Sequence, residues 1–232
     1  MSAPEFGADV PHRRVDADDW DEVYVVGDVH GCRAELERLL DRLGVTDDDL
    51  VVFVGDLVRK GPDSEGVVSL VRNAENMLTV RGNNEEKLIR GDKHLEELTE
   101  EQMEWIRNLP VAISWDDALV VHGGVDPRKP LAEHSLEELE TFRKFEDDDG
   151  EKAYWWETHR GPQRVFFGHT PLAAPVYRRY AVGLDTGCVY GNELTAYDWR
   201  ADEFVVVEPE ETVEERAESK WVEPAAAPAP VQ

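Results

Sequence analysis

Val23-Tyr24-Val25-Val26-Gly27-Asp28-Val29-His30-Gly31 decides the fold. Four apolar residues run straight into a glycine, an acid and a histidine. A short continuous apolar run closed by a turn signal reads as a strand buried on both faces. The same pattern recurs down the chain. Val51-Val52-Phe53-Val54 precedes Gly55-Asp56, and Met77-Leu78-Thr79-Val80 precedes Gly82-Asn83-Asn84-Glu85. Leu119-Val120-Val121 precedes His122-Gly123-Gly124, and Val165-Phe166-Phe167 precedes Gly168-His169-Thr170. Strands that repeatedly deliver Asp, Asn or His at their C-terminal ends gather metal ligands at one rim of a sheet. The neighbouring glycines let the backbone turn tightly while a short side chain points at an ion. Asp28 and His30 are expected in the loop just beyond the first strand.

Working outward, helical spacing alternates with these runs. Leu36, Leu39, Leu40 and Leu43 predict a helix over 33–43, and Val67, Val68, Leu70 and Val71 another over 64–73. Residues 84–90 read as a third, opened by the Gly-Asn turn. Thr99 with Gln102, and Ser135 with Glu138, are capping boxes that start two more. Val111-Ala112-Ile113 and Leu119-Val120-Val121 flank Asp116-Asp117 as a hairpin. After Gly168 the runs around Val176, Ala181, Leu194 and Phe204 predict consecutive strands of a second sheet. The alternation makes this an α/β chain with βαβ crossovers. One domain is expected over 21–208. Residues 1–20 read as a loose N-terminal arm. Residues 209–232, Glu-rich and then Pro/Ala-rich, read as a disordered tail with Trp221 as a candidate docking contact.

Composition narrows the function. Among 232 residues, 51 are acidic and 25 basic, a net charge of -26, and only 7 of the basic residues are Lys. An acidic, Lys-poor surface fits a halophilic cytoplasm, where salt screens the repulsion. It argues against binding a nucleic acid duplex, which needs basic phosphate contacts. No run is long and apolar enough for a membrane span and no signal peptide is visible, so a cytoplasmic protein is expected. Cys32 and Cys188 form no disulfide framework and read as buried small hydrophobes.

The oxygen and imidazole donors, with no thiolate among them, suit hard or borderline divalent ions. Taken together the motifs resemble calcineurin-like metallophosphoesterases of the phosphoprotein phosphatase branch, over roughly Val23 to Tyr197. The stretches Gly55-Asp56-Leu57-Val58-Arg59-Lys60-Gly61-Pro62-Asp63-Ser64 and Gly183-Leu184-Asp185-Thr186-Gly187-Cys188-Val189-Tyr190-Gly191 are similar to the diadenosine-tetraphosphatase-like (ApaH-like) group. That resemblance implies a sandwich of two mixed β-sheets flanked by helices, with the metals at the C-terminal rim. It implies that Asp28, His30 and Asp56 hold one ion, and that Asp56 bridges to a second held by Asn83, His122 and His169. Mn²⁺ is the expected metal, with Fe, Zn or Co as alternatives. A water or hydroxide between the ions would be the nucleophile. Lys60 stands at the phosphate-binding Arg position, and Arg59 and Asn83 are further candidates for phosphate binding. Asp56, Lys60 and Asn83 are the expected catalytic residues.

The chain departs from the wider family at one pair. Where that family has Asp in Gly-Asp-x-Val-Asp-Arg-Gly and His in Gly-Asn-His-Glu, this sequence has Arg59 and Asn84. The family pair protonates the leaving group, and an amide cannot. A phosphate leaving group needs that proton far less than an alkoxide does. The expectation is hydrolysis of phosphoanhydrides, such as a dinucleoside polyphosphate or polyphosphate. A Ser/Thr-type protein phosphatase acting on a phosphoprotein is the alternative, and a metal-binding module with little catalysis a further one. His94 is a candidate replacement acid, Arg160 and Arg164 are candidate transition-state cations, and Tyr154, Trp155 and Trp156 read as core, with stacking of an adenine the alternative if they line the cleft.

Overall fold

A computed structural model describes residues 4–146 and 150–224. In chain order the elements are β1 (His12–Arg14), β2 (Val23–Val26), α1 (Arg33–Leu43), β3 (Leu50–Phe53), α2 (Ser64–Asn73), β4 (Met77–Thr79) and α3 (Asn83–Ile89). There follow α4 (Glu100–Arg107), β5 (Ala112–Trp115), β6 (Ala118–Val121), α5 (Leu136–Thr141), β7 (Lys144–Glu146) and β8 (Lys152–Tyr154). The chain continues with α6 (Trp155–Thr158), β9 (Arg164–Phe167), β10 (Val176–Arg178), β11 (Ala181–Gly183), β12 (Leu194–Asp198) and β13 (Glu203–Val207).

Two mixed sheets face each other, with helices outside. One runs β1-β5-β6-β9-β11-β10 and the other β13-β12-β2-β3-β4. Strand periodicity explains why both faces are buried. Val23 and Val25 of β2 meet Val52 of β3 and Val120 and Phe166 of the opposite sheet. Tyr24 and Val26 point the other way, under Leu36 and Leu39 of α1 and Val67 and Val71 of α2. The outer face of the first sheet, including Val121, Val165 and Phe167, is covered by Trp155, Trp156 and Leu139.

Local signals set the helix ends. α1 stops at Gly44, whose φ of 69° closes the last turn and whose N–H donates to the Leu40 and Asp41 carbonyls. Both expected capping boxes form: the Thr99 hydroxyl accepts from the Gln102 amide at 3.2 Å, and the Ser135 hydroxyl from the Glu138 amide at 3.2 Å. The hairpin turns at Asp116-Asp117, between β5 and β6.

Three expectations are corrected. The late strands do not form one sheet: β10 and β11 extend the first sheet through the parallel β9–β11 pair, whereas β12 and β13 join the second through the antiparallel β12–β2 pair. Periodicity identifies a strand but not its partner. The segment expected as a loose arm supplies β1, which pairs with β5 in parallel and joins His12 Nε2 to Ser114 Oγ at 2.8 Å. A three-residue edge strand is too short to show a period. In the segment expected as a disordered tail, Val222 bridges to Leu172, and Trp221 lies so close to Gly187 that any Cβ there would come within 2.3 Å of the indole. The docking contact expected of Trp221 is therefore present. The rest of that expectation, residues 225–232, lies outside the described residues.

Candidate metal centre

The strands of both sheets deliver their loops to one rim. Asp28 and His30 follow β2, Asp56 follows β3, Asn83 opens α3 beyond β4, His122 follows β6 and His169 follows β9. All six side chains expected from the sequence are brought together there. Asp28, Asp56 and His122 present ligand atoms within 4.8 Å of one another. Asp56 faces both ways: its Oδ2 lies 3.6 Å from His30 Nε2 and its Oδ1 3.4 Å from His122 Nε2. Asn83 Oδ1 sits between two imidazoles, 3.1 Å from His122 Nε2 and 2.8 Å from His169 Nδ1. His30 Nε2 is 3.9 Å from Asp28 Oδ2.

The ring orientations are fixed from behind. His122 Nδ1 donates to the Val54 carbonyl at 2.8 Å and His30 Nδ1 to the Val58 carbonyl at 3.2 Å. Each Nε2 is thereby aimed into the cluster, as a metal-binding imidazole requires. Backbone strain gathers here. Of seven non-glycine residues with positive φ among the described residues, five are His30, Asp56, Arg59, Lys60 and His169. Such conformations cost about 1–3 kcal/mol each and persist at functional sites because the surrounding structure imposes them. Close approach also demands glycine at 168, where a Cβ would lie 1.9 Å from Asp28 Oδ1.

Electrostatics give the cluster its appetite for cations. Burial and the neighbouring Asp185 push Asp28 well above the usual carboxylate range. Burial also works against ionised Asp56, but His122, His30 and Lys60 outweigh it and hold this carboxyl well below that range. His122 is drawn up to about 10, because Asp56 and Asp28 outweigh the burial that would lower it. Burial takes His30 down to about 3 and His169 to about 2, leaving both neutral and able to ligate. Crowded buried carboxylates need compensating positive charge, and divalent cations on oxygen and imidazole donors supply it. The donor set fits such ions.

Lys60 reaches the site, with its Nζ 2.6 Å from His30 Nε2. Asn84 is sandwiched: its Oδ1 accepts from Arg59 Nη1 while its Nδ2 donates to Asp56 Oδ2. Its own backbone N–H donates to Asp56 Oδ1 at 2.8 Å. His94 is exposed beyond α3, and among the described residues no hydrogen bond or ion pair links it to the centre.

The sequence reading missed three residues. Asp185, just past β11, is a third buried carboxyl, raised by burial and close enough to be the main neighbouring charge on Asp28. It lies inside a motif quoted from the sequence, so the signal was present. Glu85 is buried and accepts from the backbone N–H groups of Gly82 at 2.8 Å, Asp56 at 2.9 Å and Val58 at 3.2 Å, tying two ligand loops together. Arg143 also lies beside the centre, donating to the His169 carbonyl at 2.7 Å. The Arg candidates named from the sequence lie elsewhere. Arg164 starts β9, at the end of the strand remote from His169, and pairs with Asp202 at 3.1 Å. Arg160 bonds only to the nearby carbonyls of Glu157 and His159 among the described residues. Trp155 and Trp156 are core, as expected, and Trp155 Nε1 props the His122 turn through the Gly123 carbonyl at 3.2 Å. Cys32 and Cys188 are free and buried in the core under α1.

Comparison with known proteins agrees with this fold. The sequence profile of the calcineurin-like phosphoesterases matches residues 22–211. The bis(5'-nucleosyl)-tetraphosphatase PrpE (asymmetrical) of Oceanobacillus iheyensis is 30% identical over 229 residues, covering 80% of this chain and 92% of its own. Serine/threonine-protein phosphatase 1 of Salmonella typhimurium is 29% identical over 209 residues, covering 79% and 94%. A solved structure described as that of a candidate diadenosine tetraphosphatase superposes with a TM-score of 0.78 at 31% identity, covering 86% of this chain and 98% of that one.

Proposed function

The chain belongs to the calcineurin-like phosphoesterase family, and from that premise we propose that it is a dinuclear phosphohydrolase preferring phosphoanhydrides, above all dinucleoside polyphosphates. Asp28, His30 and Asp56 hold one divalent ion, and Asp56, Asn83, His122 and His169 a second. The two-sided placement of Asp56 between His30 and His122 supports this division. Two ions held there would polarise the phosphoryl oxygens and lower the pKa of an attacking water. Their donors suit Mn²⁺, Fe, Zn or Co, with Mn²⁺ our choice for testing.

The remaining steps belong to the protein. Lys60 and Arg59 bring positive charge to the phosphoryl oxygens, and Asn83 orients them. Water adds to phosphorus and loses a proton to solvent, the bridging P–O bond breaks, and the departing phosphate keeps the electron pair. The observation that carries the substrate preference is Asn84. Its amide is spent between Arg59 and Asp56, and it has no proton to give the leaving group. General acid assistance is worth roughly 10²–10⁴-fold. Without it a basic alkoxide leaves slowly, whereas a phosphate leaves well. The relatives named as bis(5'-nucleosyl)-tetraphosphatases favour the same class. Two free thiols lying together in the core suit a reducing cytoplasm.

A phosphoprotein phosphatase is the second reading, favoured by the Salmonella relative. Rates with Mn²⁺ on diadenosine tetraphosphate and on a phosphoserine peptide separate the two. A kcat/KM roughly 10²-fold or more higher on the anhydride is expected; a faster peptide overturns the proposal.

A further inference from the structure

A cavity of about 870 Å³ opens beside the metal centre, between the end of α5, the β7–β8 hairpin and the segment around Trp221. Its volume is that of a site for a nucleotide-sized ligand. The two sites share a wall. Thr170, the neighbour of His169, lines the cavity, and Arg143, another lining residue, holds the His169 carbonyl.

Charge singles this cavity out. Acids outnumber bases 51 to 25 in the chain. Around the cavity the balance inverts: Arg143, Lys144, Lys152, Arg216 and Lys220 face only three acids. One of the three, Glu138, is already paired with Lys129 at 2.6 Å. Three of the chain's seven lysines are therefore on this rim. The cationic surface also runs back to the metals. Lys60 Nζ lies 5.2 Å from the centre of the Tyr190 ring, and the Arg216 guanidinium 4.8 Å from the same ring. Two buried polar atoms on the lining, Thr170 Oγ1 and Arg216 Nε, have no hydrogen-bond partner among the described residues. Such orphans inside a folded protein call for a ligand or a water. Trp221 adds flat apolar surface to the cations.

Resting on the anhydride reading above, we propose that this cavity binds the nucleoside polyphosphate that departs when the substrate is cut at the metals. Arg143, Arg216, Lys144 and Lys220 take its phosphate oxygens, and Trp221 takes the base. Cation and ring together recognise a nucleotide where either alone would not. A dinucleoside polyphosphate would then be held at both ends, one in each site.

Two measurements on the full-length Mn²⁺-loaded protein test this. In the first, Lys144→Glu and, separately, Lys220→Glu are assayed on diadenosine tetraphosphate and on p-nitrophenyl phosphate. Each variant should raise KM for the dinucleotide about tenfold, the worth of one lost charge-assisted contact, with p-nitrophenyl phosphate kinetics unchanged. Equal KM values in wild type and both variants overturn the proposal. In the second, adenosine diphosphate is titrated while Trp221 fluorescence is followed, with Trp221→Phe to assign the signal. Saturable quenching, weakened about tenfold by Lys144→Glu, supports the site. No quenching, equal affinity for inorganic tripolyphosphate, or displacement by the phosphoserine peptide instead overturns it. The titration needs no turnover. If wild type fails to cleave diadenosine tetraphosphate, the proposed function falls while the cavity is still judged by its own ligand.

Discussion

Asn84 donates to Asp56 and accepts from Arg59, so its side chain holds a carboxylate of the candidate metal centre in place where the wider family has an acid. Restoring the imidazole is the sharpest residue-scale probe. Asn84→His should raise kcat on phosphoserine peptide by roughly 10-fold or more, within the range of general acid catalysis, and change anhydride turnover far less. Parallel rates on both substrates check this, and an equal gain on both would show that the missing acid does not set the preference. Lys60 Nζ lies 2.6 Å from His30 Nε2 at the centre. Lys60→Ala should cost roughly 10²–10³ in kcat, the usual worth of one preorganised charge in a closed site. Gly168→Ala would put a methyl on Asp28 Oδ1. It should weaken Mn²⁺ binding by roughly 10–100-fold, a loss typical of disturbed ligand support, measured by calorimetric titration of folded protein.

At the scale of elements, α5 connects the capping box to the cavity. Lys129 and the Ser135 amide hold Glu138 at about 2, below its ordinary 4.5. Because the folded value is the lower one, the carboxylate's stabilising contribution is present above pH 4.5 and is lost as the pH falls toward 2. Melting curves of wild type and Glu138→Gln should therefore differ at neutral pH and converge in acid; a constant gap would contradict the cap. Helices and buried strands were legible in the sequence because each carries its own period and caps. Partner choice was not. Nothing in the run from Ala181 to Val207 says that β11 stays with β9 while β12 crosses to β2. Asp185 reaches the centre because β11 runs parallel to β9 and ends at the same rim, a pairing that the periodicity of the run does not reveal. The ligand rim was legible for the opposite reason: its residues sit at strand ends, where the motif itself fixes their position. Arg143 was missed because it belongs to no motif and reaches His169 only through tertiary packing.

For the molecule as a whole, a net charge of -26 spread over 232 residues sets the solution behaviour. Self-repulsion of that size is relieved by salt, since the Debye length shrinks to about 3 Å at 1 M. Raising KCl from about 0.1 M to 1 M should raise the melting temperature of the chain, and a fall would count against a halophilic setting. The same field makes the cationic rim beside the candidate metal centre an exception, in a protein that otherwise repels anions. The two sheets matter to function because they bring loops far apart in sequence, from Asp28 to His169, to a single rim. Whether that rim holds a pair of ions is the central claim. A crystal grown with Mn²⁺ and measured at the manganese absorption edge tests it most directly. Two anomalous peaks about 3.5–4 Å apart, with Asp56 between them, are predicted; a single peak, or none within reach of Asp56, would contradict the account.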